Sequence, residues 1–170
     1  MATAATVHGQ EEHEQIGKAA GPCVMVIFGA SGDLTKRKLV PALYNLVKAK
    51  LLPKNFAVVG VAFDDLSRDQ FRDQVTGFLH SEDRGTEDWE WFTQRLYYQR
   101  GEFANPAAYS TLATQLAGVD GEHGTQANYL FYLATAPKFF STIVQQLGKA
   151  GLSDQKDGCW RRVVIEKPFG

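Results

Sequence analysis

Apolar residues follow two different spacings along this chain, and the two spacings alternate. Short, nearly continuous apolar runs are typical of central strands covered on both faces, whereas apolar residues recurring every three or four positions are typical of amphipathic helices. From Cys23 onward, runs of the first kind alternate with segments of the second kind. The alternation predicts an α/β fold, with a doubly wound, mostly parallel sheet and helices on both of its faces.

The apolar runs predict five strands, at about 23–28, 56–62, 96–99, 128–134 and 162–166. Helices are predicted at about 34–50, 67–79, 86–94, 106–117 and 137–149. Their clearest apolar stripes consist of Leu39, Leu43, Leu46 and Val47, then Phe71, Val75, Phe78 and Leu79, and then Tyr109, Leu112 and Leu116. Pro41 lies inside the first stripe, and a proline in a helix interior loses a hydrogen bond, so we expect a kink or a helix restart there.

Local capping patterns refine the helix boundaries. Ser67 followed three residues later by Gln70 forms a capping-box pattern, which predicts that a helix begins at this point. His80 is expected at the C-terminal end of the same helix, as a partner of its dipole. The segment 118–125 is polar and contains glycines, so it is predicted to be a loop in which His123 is exposed.

Composition and charge narrow the class of protein. The 170 residues include 44% hydrophobic and 22% charged residues, which suits one globular domain with a sizeable core. A formal net charge of −1 gives no electrostatic basis for binding nucleic acid or an anionic membrane. The two cysteines, Cys23 and Cys159, lack the spacing of a zinc site or a disulfide framework, and we therefore expect no metal and a reducing, cytoplasmic location.

The domain organisation follows from the same pattern. Residues 1–21 are small and acidic and contain no apolar run long enough for a signal or membrane segment, so they are interpreted as a flexible tail. His8 and His13 in this tail are expected to be solvated rather than metal-bound. Residues 22–170 are expected to form one domain.

A glycine-containing turn follows the first predicted strand and leads into a helix. Gly29 and Gly32 permit a tight turn whose N–H groups, together with the positive end of the helix, can hold a pyrophosphate. The spacing departs from the G-x-G-x-x-G pattern of dinucleotide sites, since Ser31 and Leu34 occupy the second and third glycine positions. A P-loop pattern does not fit, and the remaining alternative is a turn that needs glycine for packing alone.

Ligands of open α/β sheets lie beyond the carboxyl ends of the strands. The turn at Gly29, the loop after Ala62, the Ala136-Pro137 turn and the Glu166-Lys167 step all follow predicted strands. We therefore expect these four segments to border one crevice.

Three motifs in this order resemble the cofactor domain of glucose-6-phosphate dehydrogenase: G-A-S-G-D-L at 29–34, Y-L-F-Y-L-A at 129–134, and E-K-P-F-G at 166–170. The resemblance covers about 23–170 and implies a Rossmann-like fold. It also implies oxidation of glucose 6-phosphate to a lactone, with hydride transfer to NADP or NAD. The family further implies that the full-length protein is a homo-oligomer.

The resemblance implies a set of site residues. Those implied to bind the cofactor are Gly29, Ala30, Ser31, Gly32, Asp33, Leu34, Thr35, Lys36, Asp64, Tyr98 and Lys167. Lys167 is also implied to bind the substrate, and the Lys167-Pro168 peptide is a candidate for the cis form. For Tyr98 a packing role is an equal alternative.

The family's catalytic base is a histidine in a motif that follows E-K-P, and no histidine of this sequence matches it. The substrate and dimerisation domain is likewise expected beyond 170. We therefore predict a cofactor-binding portion that turns over negligibly by itself. A non-catalytic nucleotide-binding module or redox-sensing subunit is the alternative.

Cofactor choice depends on the residues after the second predicted strand. NADP-preferring relatives commonly have an arginine where this chain has Phe63, and an acidic residue here suits the free 2′-hydroxyl of NAD. Asp64 or Asp65 can fill that role, although both can equally serve the dipole of the next helix. Alternatively, Lys36, Arg37 or Arg68 can reach the 2′-phosphate of NADP. The hypothesis is therefore that the protein uses NAD, or both NAD and NADP.

Overall fold

The computed structural model describes residues 19–166, so most of the expected tail and the expected cis Lys167-Pro168 peptide lie outside the described residues. Five strands form one sheet: β1 (Cys23–Phe28), β2 (Phe56–Ala62), β3 (Leu96–Arg100), β4 (Tyr129–Leu133) and β5 (Arg161–Ile165). Their spatial order is β3-β2-β1-β4-β5, and all four pairings are parallel. The predicted parallel sheet is confirmed, with strand bounds within one residue of the expectation.

Five α-helices connect the strands. They are α1 (Val40–Lys48), α2 (Arg68–Thr76), α3 (Glu87–Thr93), α4 (Pro106–His123) and α5 (Phe140–Lys149). A π-helical turn, Thr35–Leu39, precedes α1, and short 3-10 turns occur at Ser81–Asp83 and Pro137–Phe139. Pro41 lies in the first turn of α1, directly after the π-helical turn, which confirms the predicted restart.

Two hydrophobic layers cover the sheet, one on each face. One layer joins β1 and β2 to α1, α2 and α3 through residues such as Ile27, Val40, Tyr44, Phe71 and Phe92. The other joins β1 and β4 to α4 and α5 through residues such as Phe28, Tyr109, Leu116, Phe131 and Ile143. The central strands β1 and β2 are buried along their whole length, as expected for strands covered on both faces. The fold is therefore doubly wound.

The capping box at the start of α2 is confirmed. The Gln70 backbone N–H donates to Ser67 Oγ at 3.1 Å, and the Ser67 N–H donates to Gln70 Oε1 at 2.8 Å. The end of this helix was predicted too late, because α2 ends at Thr76. His80 therefore lies beyond the last turn and precedes a 3-10 turn, so its predicted role as a dipole partner is wrong.

The predictions for two apolar stripe residues and for one loop were also wrong. Leu46 and Phe78 are 37% and 49% exposed, respectively, so neither belongs to the core. The segment 118–123 is the last part of α4, because burial of Val119 against the sheet outweighs the low helix propensity of the glycines. His123 is the final residue of that helix, and its side chain is 10% exposed rather than solvated.

Two structural features bear on a membrane or metal role for residues 19–166. No helix of this part of the chain combines the length and the apolar content that crossing a bilayer requires. Within the same residues, no three side chains of His, Cys, Asp or Glu form a group that could hold a metal ion.

Candidate functional site

The turn at Gly29 lies at the carboxyl edge of the sheet, between the ends of β2 and β4. Phe28 pairs with Val61 on one side and with Leu133 on the other, so the three strands end together. The N–H groups of Gly29 and Ala30 donate to Val61 O at 2.9 and 3.2 Å. These two N–H groups fix the turn to β2 and are therefore not free to contact a ligand.

Gly29 meets two separate requirements for glycine. Its φ of +88° lies in the region that L side chains rarely adopt, and an added Cβ would be 2.3 Å from Ala134 O. The packing role considered from the sequence is therefore real. It also brings β1 and β4 close enough for the turn to lie directly against the loop that follows β4.

Free hydrogen-bond donors lie farther along the same turn. The Gly32 N–H donates to Gly29 O at 3.0 Å, and the Lys36 N–H donates to Gly32 O at 3.3 Å. The N–H groups of Ser31, Asp33 and Leu34 have no acceptor among residues 19–166. Because a helix begins here, these N–H groups lie at its positive end, which is the arrangement that binds phosphate.

The buried side chain of Thr35 stabilises the turn. Its side chain is fully buried, and its hydroxyl donates to Gly29 O at 3.3 Å. This hydrogen bond stabilises the backbone at Gly29. Binding of the cofactor by Thr35, which the resemblance implies, stays a prediction.

Asp64 is held directly beside the turn. The Ser31 hydroxyl donates a hydrogen bond to the Asp64 carboxylate, and the Tyr98 hydroxyl donates to Asp64 O at 2.6 Å. Tyr98 is buried and stacks on Phe71 with a centroid separation of 5.0 Å, so it has a packing role, and its hydroxyl orients the loop after β2. Its predicted place near the cofactor stays a prediction. Burial, followed by the nearby Asp64 charge, raises the pKa of Tyr98 to about 12, so this hydroxyl stays a donor.

The cations near this loop are placed differently from the expectation. Arg68 donates to Leu96 O and Gln94 O at 2.8 and 2.6 Å, at the amino end of β3, so it does not reach the crevice. Arg37 lies 3.8 Å from Asp33 on the helix surface. Lys36 is half-buried at the start of the π-helical turn.

One cation at the crevice was missed by the sequence reasoning. Arg100 donates from Nε to Phe63 O at 3.1 Å and lies 3.7 Å from the Asp65 carboxylate. Its position as the last residue of a parallel strand was the available signal, because polar residues at strand ends face the ligand edge of such sheets.

The other end of the crevice lies beside β4 and β5. A cavity of about 300 Å³ is bordered there by Leu34, Ala134, Thr135, Phe140 and Glu166, among others. The Tyr132 hydroxyl donates to the Glu166 carboxylate, which fixes Glu166 at the end of β5. Lys167, the predicted substrate and cofactor contact, lies outside the described residues. The Gly29 turn, the Ala134–Pro137 segment and Glu166 thus border one crevice, together with the loop after β2.

The described histidines lie away from this crevice. His123 Nε2 is 2.7 Å from the Tyr97 hydroxyl, which also donates to Glu122 at 2.7 Å, near the amino end of β3. His80 precedes the turn that contains Asp83, and Asp83 pairs with Lys48 at the C-terminal end of α1. Neither histidine is placed to accept a proton from a substrate in the crevice.

Comparison with known proteins gives one consistent result. Residues 26–170 match the family model described as glucose-6-phosphate dehydrogenase, NAD binding domain. The glucose-6-phosphate 1-dehydrogenase of Chlamydia muridarum is 43% identical over 94% of this chain and 34% of the relative. That of Chlamydia pneumoniae is 47% identical over 88% of this chain and 30% of the relative.

A solved structure supports the same relationship. Glucose-6-phosphate dehydrogenase in complex with its substrate glucose-6-phosphate superposes with a TM-score of 0.77 at 29% identity, over 90% of this chain and 32% of that chain. The chain thus spans about a third of the length of the relatives that it matches.

Proposed function

The chain belongs to the glucose-6-phosphate dehydrogenase family, and on that premise we propose that it holds the nicotinamide dinucleotide in an enzyme that oxidises glucose 6-phosphate. The observation that carries the proposal is the turn at the end of β1, whose Ser31, Asp33 and Leu34 N–H groups have no acceptor within residues 19–166. Three N–H groups at the start of a helix are matched by the oxygens of a pyrophosphate. Family membership favours this enzyme over a non-catalytic nucleotide-binding module.

Each described part of the crevice has a role in this proposal. Gly29 fixes the turn, and the positive end of the π-helical turn Thr35–Leu39, which continues into α1, stabilises the negative charge of the pyrophosphate. The Asp64 carboxylate, held by Ser31, lies where it can accept hydrogen bonds from a ribose. The cavity beside Glu166 then receives the nicotinamide and the sugar.

For the cofactor we propose NAD, or use of both NAD and NADP. A carboxylate accepts hydrogen bonds from the free 2′-hydroxyl of NAD, whereas it repels the 2′-phosphate of NADP. Asp64 is turned toward the Gly29 loop by the Ser31 hydroxyl, and Phe63 precedes it where NADP-preferring relatives have an arginine. Arg100 is paired with Asp65, so its charge is partly neutralised.

The reaction that we propose removes two hydrogens from the anomeric carbon of the sugar phosphate and its hydroxyl group. The bound cofactor accepts the hydride, and the hydroxyl proton goes to a base. Lys167 directly follows Glu166, and we propose that its ammonium group orients the substrate and the cofactor. Because the two histidines among residues 19–166 lie away from the crevice, and no histidine of the sequence matches the family's base motif, we propose that the base is a histidine outside the 170 residues.

The oligomeric state and the cellular location of the whole protein are proposed from family membership. We propose a homo-oligomeric enzyme of the cytoplasm, whose subunit contacts lie outside the 170 residues. The free thiols of Cys23 and Cys159 are compatible with a reducing compartment.

Calorimetric titration tests the binding part of the proposal, and an activity assay tests the rest. The purified chain should bind NAD⁺ measurably, yet it should reduce NAD⁺ or NADP⁺ with glucose 6-phosphate at a negligible rate. Absence of binding for both dinucleotides would contradict the assignment of the turn. Rapid turnover by the 170-residue chain would contradict the proposed location of the base.

A further inference from the structure

A cavity of about 450 Å³ lies at the amino edge of the sheet, on the opposite side from the crevice at the Gly29 turn. It is formed by the end of α1, the segment that leads into β2 and the first part of α3. The apolar side chains that line it are Val47, Leu52, Pro53 and Trp91, and Trp91 is partly exposed. The cavity is therefore an apolar surface that the proposed cofactor site does not use.

Two ion pairs connect the walls of this cavity. Lys50 Nζ lies 2.5 Å from the Asp88 carboxylate, and Lys48 Nζ lies 3.3 Å from the Asp83 carboxylate. The end of α1 is thereby linked to the start of α3 and to the 3-10 turn that precedes it. The Tyr44 ring of α1 also packs on aromatic rings of α3. The cavity is thus built between two helices that are held together, so its shape is set before anything occupies it.

The described part of the chain begins at the mouth of this cavity. Ala19 lines the cavity, and the Ala20 N–H donates to Leu51 O at 3.4 Å. The residues that precede Ala19 therefore start from the cavity itself. Ile16 is the only large aliphatic residue of 8–18, and it is three residues from Ala19. Because three residues of extended chain span about 10 Å, the Ile16 side chain can reach the apolar walls.

The charges beside the cavity are complementary to those of the preceding segment. Lys54 and Glu87 line the cavity, and neither takes part in an ion pair within the described part of the chain. The preceding segment carries charges of the opposite signs, on Glu14 and on Lys18. Ile16 lies between these two residues in the sequence. The segment therefore offers one apolar side chain flanked by the two charges that the cavity can pair.

We propose that residues 14–18 dock in this cavity, with the Ile16 side chain against Trp91. The contact removes apolar surface of both side chains from water, and it places Glu14 near Lys54. It is an intramolecular contact, so it does not depend on the concentration of the protein. This part of the expected tail thereby connects α1 with α3 at the amino edge of the sheet.

The test uses acrylamide quenching of tryptophan fluorescence in the 170-residue chain. Ile16→Asp should make Trp91 easier to quench and should shift its emission to longer wavelengths, because a charged side chain does not stay in an apolar cavity. The same substitution in a Trp91→Phe background should change neither property, which assigns the signal to Trp91. Val7→Asp is the matched control, since it adds the same charge farther from the cavity, and it should behave like the original chain.

Urea unfolding and cofactor binding give two further readouts. Ile16→Asp should lower the urea midpoint, because the apolar contact is lost, whereas Val7→Asp should not. Binding of NAD⁺ should be equal in both variants and in the original chain, since the cavity and the Gly29 turn lie at opposite edges of the sheet. The proposed function can therefore fail or hold independently of this docking.

Three outcomes would overturn the proposal. One is that Trp91 is quenched equally in Ile16→Asp and in the original chain. A second is that Val7→Asp reproduces the whole effect of Ile16→Asp, because added charge rather than docking of Ile16 would then control the signal. The third is that dilution of the original chain exposes Trp91 to the quencher, which would mean that a second copy of the chain occupies the cavity.

Discussion

The Ser31 hydroxyl donates a hydrogen bond to the Asp64 carboxylate, across the gap between the loops that follow β1 and β2. This contact joins the turn that we propose to bind the pyrophosphate to the carboxylate that we propose to face the ribose. The carboxylate is thereby oriented before any ligand arrives, which reduces the entropy that binding must overcome.

Replacement of Asp64 by asparagine should shift the choice between cofactors. The amide oxygen would still accept a hydrogen bond from Ser31, while the charge that repels a 2′-phosphate would be gone. A repulsion of about 1 kcal/mol corresponds to about a fivefold change in Kd, so the NADP⁺-to-NAD⁺ affinity ratio should rise by at least about that factor. Calorimetric titration of both dinucleotides into Asp64→Asn measures the ratio.

The matched control for that variant is Asp154→Asn. Asp154 carries the same charge but pairs with Lys156 beyond α5, among residues at the amino end of β5. Its neutralisation should leave the affinity ratio unchanged. An equal shift in both variants would mean that net charge, rather than Asp64, controls the choice.

Replacement of Gly29 by alanine should destabilise the fold and abolish binding at the turn. The new methyl group would overlap Ala134 O, in a backbone conformation that alanine disfavours, so we expect a loss of about 3 kcal/mol or more in the free energy of unfolding. Gly85→Ala is the control, since Gly85 has a similar φ of +78° but nothing within 4 Å of the added Cβ. That variant should lose only about 1 kcal/mol. Urea unfolding compares the two, and equal losses would show that the overlap relaxes freely.

The stability of the chain should fall as the pH drops below about 6.5, through His123. Burial and then the Arg95 charge lower the pKa of His123 from its ordinary value of 6.5, against the opposing effect of Glu122. The unfolded chain therefore binds the proton more readily than the folded chain, and acid favours unfolding. Urea midpoints measured from pH 7.5 down to pH 5 should decline less steeply in His123→Gln. Identical slopes would assign the decline to other groups.

Only one of the two cysteine thiols should react in the folded chain. Burial raises the pKa of the Cys23 thiol to about 11, so at pH 8 it remains protonated and shielded, whereas Cys159 is partly exposed. An aromatic disulfide reagent should label about one thiol at pH 8, and almost none in Cys159→Ser. Both thiols should react in denaturant. Fast labelling of folded Cys159→Ser would contradict the burial of Cys23.

The elements predicted correctly are those that local chemistry determines. The strand at 56–62 is continuously apolar, and the start of α2 depends on Ser67 and Gln70, which are three residues apart. The end of α4 was missed because glycines at 118 and 121 suggested a loop. Burial of Val119 is a tertiary effect that overrides local propensity.

The site was only partly predictable for a similar reason. Polar residues could be placed at strand ends, but their partners could not be chosen. The contact between Ser31 and Asp64 depends on the register in which Phe28 pairs with Val61. Arg68 donates to Leu96 O instead of reaching the crevice, because α2 crosses the start of β3. Such choices are made by packing between elements, which spacing along the chain does not encode.

The position of β5 at the end of the described sheet has a consequence for handling the protein. An edge strand offers unpaired backbone groups to any extended chain that approaches, and Val163 and Ile165 on β5 are 46% and 48% exposed. Arg161 and Arg162 place two charges at its beginning, but its carboxyl half carries none before Glu166. Self-association of concentrated samples should therefore start at this half of the strand. The substitution Val163→Lys would place a charge there and reduce pairing with a second chain.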